Sequence, residues 1–134
     1  MISNIFINLP TKNLDKSVAF FEKLGFKINP QFTDKTAACV VLGKNIYAMI
    51  LTEEKFKGFT NKEIPDGTRS AETIHALGVE NKDEVDKFMG KALAAGATEP
   101  RKPEVYDFMY GRGFEDPDGH LWEIFWMDPN YVEK

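Results

Sequence analysis

The sequence predicts an α+β fold of two βαβββ repeats, whose mixed sheets curl into a cup with one main helix on the outside of each. Three observations predict it. Strand-like and helix-like runs follow one another in the same order twice. Each helix-like run stops at a glycine, Gly25 and Gly96. Sliding the second half onto the first pairs Leu9 with Leu77, Asn13 with Asn81, Asp15 with Asp83, Phe20 with Phe88 and Lys23 with Lys91.

Residues 5–9 hold β-branched and aromatic side chains and meet a breaker at Pro10, so they read as a strand. Asn13 suits a helix N-cap, and Asp15 places negative charge in the first turn. Leu14, Val18, Phe21 and Leu24 then recur at helical spacing as far as Gly25. Residues 27–32, 36–42 and 46–51 read as three strands, the last two joined by the turn Gly43-Lys44-Asn45. Residues 53–70 are polar, carry Gly58, Pro65 and Gly67, and read as a linker. Within it, Phe56 and Phe59 either tuck into the core or close over a pocket.

The pattern restarts with a strand at 73–79 and a helix at 82–95. Strands at 99–106 and 108–115 follow. The turn Asp116-Pro117-Asp118-Gly119 leads into a last strand at 120–126. One domain over 1–134, with repeat units at about 1–52 and 71–128, is the expected organisation.

Bulk properties exclude several classes. The 134 residues are 43% hydrophobic with eleven Phe, which suits a packed core and not a disordered chain. A net charge of −4 argues against nucleic acid and against an anionic membrane surface. No apolar run approaches the roughly 20 residues of a membrane helix, and residues 1–4 do not resemble a signal peptide. Cys39 is the single cysteine, so no intramolecular disulfide forms; a cytoplasmic location is expected. Cys39 sits in the apolar run from Ala37 to Leu42 and reads as a buried, inert thiol.

Particular motifs then point to a family. The opening strand from Asn4 to Pro10, the helix start Asn13-Leu14-Asp15-Lys16-Ser17 and the helix end Leu24-Gly25-Phe26 resemble the vicinal-oxygen-chelate superfamily, the glyoxalase, bleomycin-resistance and extradiol-dioxygenase group. The most specific match is the last hairpin, Phe114-Glu115-Asp116-Pro117-Asp118-Gly119-His120-Leu121-Trp122-Glu123-Ile124. The resemblance covers about residues 2–127.

In metal-dependent members, that resemblance implies, the first and last strands of each unit supply His, Gln or Glu ligands to a divalent ion. Carried over residue by residue, the first position is Phe6, which binds no metal. Asn8 shares its face by the strand's period of two. The second position is Ile74; His75 is one residue on and falls on the opposite face, unless the register slips by one. The fourth strand offers Met49 and Leu51, and the last offers Glu123. No metal is therefore expected, with Glu123 and His75 as the candidates if one binds.

The cup is expected to be lined by Phe6, Asn8, Met49, Leu51, Glu123 and Phe125. Tyr110 and Arg112 either aim into it as well, or Tyr110 is core and Arg112 pairs with Glu123 or Asp116. Gly111 and Gly113 allow close approach. Without a metal, Glu123 is the candidate for proton transfer, and so the catalytic residue, or for recognition of a cation. The expected function is binding of a small molecule, as in bleomycin-resistance proteins. The alternatives are a metal-dependent lyase or isomerase acting on a thiol conjugate of a 2-oxoaldehyde, and a structural module whose cup its own side chains fill. The resemblance also implies a homodimer.

Overall fold

A computed structural model describes residues 1–131. Two compact units divide the chain, Met1–Asp66 and Gly67–Lys134.

In the first unit β1 (Ile5–Thr11) leads into α1 (Leu14–Lys23), followed by β2 (Lys27–Asn29), β3 (Ala37–Gly43) and β4 (Ile46–Thr52). The sheet order is β1-β4-β3-β2, with β1 parallel to β4 and the other pairs antiparallel. Asn13 caps α1 by accepting the Lys16 amide at 3.1 Å, which satisfies a donor that no helical carbonyl can reach. Gly25 follows at φ 98°, a conformation that favours glycine. Phe20, Phe21 and Leu24 of this helical segment are buried, and α1 packs on β3 and β4. Leu9, Ala38, Val40, Ala48 and Ile50 supply the buried sheet face beneath it. Burying a side chain as completely as Phe21, 0% exposed, stabilises by about 1.5–3 kcal/mol.

The second unit repeats the plan. It runs β5 (Ile74–Gly78), α3 (Lys82–Ala94), β6 (Glu104–Tyr106), β7 (Met109–Glu115) and β8 (Leu121–Met127), α2 being the short helix described below. Its order β5-β8-β7-β6 carries the same parallel and antiparallel pairings as the first sheet. Asn81 caps α3 through the Glu84 amide at 2.9 Å, as Asn13 caps α1. Val85, Met89 and Ala92 are buried on α3, and Phe114, Trp122 and Ile124 are buried on the sheet. Phe88 of α3 meets Phe114 at 5.8 Å between ring centroids.

Three expectations about elements need correction, each for a backbone reason. Pro10 does not end β1, which runs to Thr11; β1 is an edge strand, where a missing N–H is tolerated. The strand expected at 27–32 stops at Asn29, because Pro30 opens a 3₁₀ turn capped by the Asn29 side chain. The strand expected at 99–106 keeps only Glu104–Tyr106, since Pro100 and Pro103 lack ladder donors. Part of the expected linker is also ordered as α2 (Glu53–Lys57), which Thr52 caps. No helix among the described residues is long and apolar enough to cross a membrane.

Candidate functional site

Strand β8 sorts its side chains by alternation. Trp122 and Ile124 are buried toward α3, and Leu121, Glu123 and Phe125 take the opposite face. The register sets their neighbours: Ile74 pairs with Leu121, Ala76 with Glu123, Gly113 with Glu123 and Gly111 with Phe125. A hollow of about 50 Å³ lies here, with Ile74, Leu121, Gly111, Gly113 and Glu123 in its wall and Pro100, Arg101, Lys102 and Glu104 in its rim. A Cβ added at Gly113 would stand 3.3 Å from the Trp122 carbonyl oxygen and 3.7 Å from Glu123 Cγ, so glycine keeps the space beside the carboxylate open.

Glu123 is half-buried, and among the described residues it makes no hydrogen bond, ion pair or ring contact. Of the rim charges, Arg101 is tied to Glu104 at 2.6 Å. Lys102 also borders the hollow. Phe125 stands beside the hollow on the same face, its side chain against Gly78 and Gly111.

Tyr110 and Arg112 do not join Glu123. They pair across the sheet with Trp126 and Ile124, on the face toward α3. Arg112 borders the hollow, but its guanidinium is engaged elsewhere. Its Nε and Nη2 donate to the two Glu99 carboxylate oxygens at 2.9 and 2.7 Å, and its Nη1 donates to Asp86 at 3.0 Å. Tyr110 Oη donates to the same Asp86 oxygen at 2.6 Å. Arg112 thus pairs with carboxylates, but with Glu99 and Asp86 and not with Glu123 or Asp116. Tyr110 is half-buried and so is not core either. The hydrogen bond from Arg112 lowers the Glu99 pKa, and those from Tyr110 and Arg112 lower that of Asp86. Glu99 and Asp86 in turn hold the guanidinium more firmly protonated.

His75 pairs with Trp122, its ring 4.8 Å from the indole, so it shares the buried face and not the face of Glu123. Burial, and next the His120 charge, lower its pKa.

In the first unit Phe6 and Asn8 lie on the face away from α1, beside Tyr47 and Met49. Phe6, 40% exposed, stacks on Tyr47 at 4.6 Å. The Asn8 amide donates to the Phe6 carbonyl at 3.3 Å. A hollow of about 330 Å³ is bordered by Asn8, Leu51, Phe56, Phe59 and Thr60. Both linker phenylalanines thus border a pocket, and Phe59 is 70% exposed.

Sequence reasoning missed a further cluster. Donor atoms of Asp116, Asp118 and His120 lie within 4.8 Å of one another. Asp116 is 6% exposed; one carboxylate oxygen accepts the Asp118 and His120 amides and the other accepts Trp122 Nε1 at 3.0 Å. Those bonds close the turn, and the spacing of the three residues in the sequence was the available signal. Burial raises the Asp116 pKa in spite of the donors around it.

The family model described as Glyoxalase/Bleomycin resistance protein/Dioxygenase superfamily matches residues 5–124. No curated protein matches the chain. Among solved structures, a hypothetical protein from S. aureus is 29% identical, with a TM-score of 0.78 over 93% of this chain and 94% of that one. A glyoxalase-related enzyme from Fulvimarina pelagi is 21% identical, with a TM-score of 0.78 over 94% and 88%. The fosfomycin resistance protein FosX from Listeria monocytogenes is 21% identical, with a TM-score of 0.67 over 100% and 97%.

Proposed function

Because the chain belongs to the Glyoxalase/Bleomycin resistance protein/Dioxygenase superfamily, we propose that it binds a small molecule in the hollow of its second unit, with a cationic nitrogen of that molecule against Glu123. The observation that carries this reading is the Glu123 carboxylate, half-buried among apolar walls and without a partner among the described residues. A carboxylate partly removed from water gains most from a charge-assisted hydrogen bond. Ile74, Leu121 and the bare backbone at Gly111 and Gly113 offer an apolar bed for the rest of the ligand.

The donor set does not fit a catalytic divalent ion. On the Glu123 face of β5 and β8 the other side chains are Ile74, Ala76, Leu121, Phe125 and Met127. On the face of β1 and β4 away from α1 stand Phe6, Asn8, Tyr47, Met49 and Leu51. His75 is turned to Trp122. Catalytic metal sites draw on about three protein ligands, and neither face alone supplies them: the first offers one amide and the second one carboxylate. The metal-dependent lyase or isomerase acting on a thiol conjugate rests on Glu123 alone and is the weaker reading.

Calorimetry and thermal shift with benzylammonium, and with benzyl alcohol as its uncharged counterpart, test the proposal. Benzylammonium is expected to bind and to raise Tm, and Glu123→Gln to weaken that binding about tenfold or more. Equal binding of the alcohol, or undiminished binding by Glu123→Gln, contradicts it.

A further inference from the structure

We propose that Arg112 is a positioning residue for the Glu123 hollow: by gripping Glu99 it fixes one foot of the rim loop and so sets how wide the hollow opens. The inference rests on the reading that this hollow binds a ligand.

Both feet of the loop stand on β7. At its far end Glu104 pairs with Gly111 in the strand ladder. At its near end Glu99 is bound by the guanidinium of Arg112, the next residue along β7. Between the feet run Pro100, Arg101, Lys102 and Pro103, all outside any strand. The two prolines have no N–H to offer a ladder. The Arg101–Glu104 ion pair closes the loop on itself and not on the sheet. The other tie nearby is Thr98, bridged to Glu115 upstream of the loop.

The Arg112 grip suits this task. It is two-pronged, which fixes angle as well as distance. The side chains of Arg112 and Glu99 are only 18% and 19% exposed, so water screens the pair weakly. Asp86 holds the same guanidinium from α3 and is held in turn by Tyr110. The residues flanking Arg112 are Gly111 and Gly113, both in the wall of the hollow, with Gly113 paired to Glu123. Neither glycine has a side chain to hold the loop off the sheet at those positions, so on this proposal the grip on Glu99 sets the width of the opening.

The test compares wild type with Arg112→Gln, Arg112→Lys and Glu99→Gln. Arg112→Lys keeps the charge without the fork and guards against a variant that fails to fold. The first readout needs no ligand: ¹⁵N relaxation at Arg101 and Lys102. In Arg112→Gln and Glu99→Gln their order parameters are expected to fall below about 0.6 while α3 stays rigid. An unchanged loop overturns the proposal. The second readout is the affinity ratio of benzylammonium to the bulkier naphthylmethylammonium. Wild type is expected to favour the smaller amine by about tenfold or more, and the variants to bring the ratio close to one. A merely structural role would lower Tm and leave that ratio alone, which also overturns the proposal. If neither amine binds wild type, the ligand reading fails and the ligand-positioning role fails with it; the relaxation data still show whether Arg112 holds the loop.

Discussion

Asp116 illustrates how a single side chain shapes the last hairpin. It accepts two turn amides and the Trp122 indole from a buried position. Trp122→Phe deletes that donor and also leaves part of the buried indole's volume unfilled, so we expect a loss of about 2–4 kcal/mol in urea unfolding. Ser17 is the opposite case. Its Oγ is buried and has no hydrogen-bond partner among the described residues, so Ser17→Ala is expected to be neutral or to stabilise by about 1 kcal/mol. His75 gives a pH signature. Its folded pKa lies below the ordinary 6.5, so the unfolded chain takes up the proton first. Its contribution is therefore complete above about pH 6.5 and is lost as the pH falls, by at most about 1.4 kcal/mol per unit. Asp86 and Glu99, also lowered, add their own loss below about pH 4, and Asp116, raised, opposes it. His75→Phe should flatten the pH 7 to 5 part of the urea-midpoint profile; an unchanged slope there assigns it to another group.

At the level of elements, the helices were the most legible part. The Asn13 and Asn81 caps and the Gly25 and Gly96 stops are each one residue with one local job, and the sequence states it directly. Asn81→Ala is expected to cost about 1 kcal/mol, or roughly 4 °C in Tm. The strands were legible in number but not in length. Proline acts through the ladder: at Pro10 it sits on an edge and is tolerated, whereas at Pro100 and Pro103 it dissolves more than half of an expected strand. The sequence does not say which strand is an edge until the pairing is known. Faces followed from alternation, which placed His75 and Glu123 on opposite sides as the structure has them. Arg112 went astray for a related reason. Its partners Glu99 and Asp86 lie 13 and 26 residues away, beyond the reach of any local pattern.

Across the whole molecule, the repeat is what made the fold readable. Two sheets with the same strand order and the same parallel pair arise from two halves that share few identical residues, because caps, stops and apolar periods are repeated where sequence identity is not. The site was harder to read, since its shape depends on a rim loop with no sequence signature beyond two prolines. The family resemblance implies a homodimer, for which sedimentation should give twice the chain mass. The central claim is that Glu123 receives a cationic ligand and not a catalytic metal. Metal content tests it most directly, on protein purified without an affinity tag, before and after addition of nickel, zinc, cobalt or manganese, in wild type and Glu123→Ala. The account predicts no stoichiometric metal that depends on Glu123. One ion per chain that disappears in Glu123→Ala would contradict it.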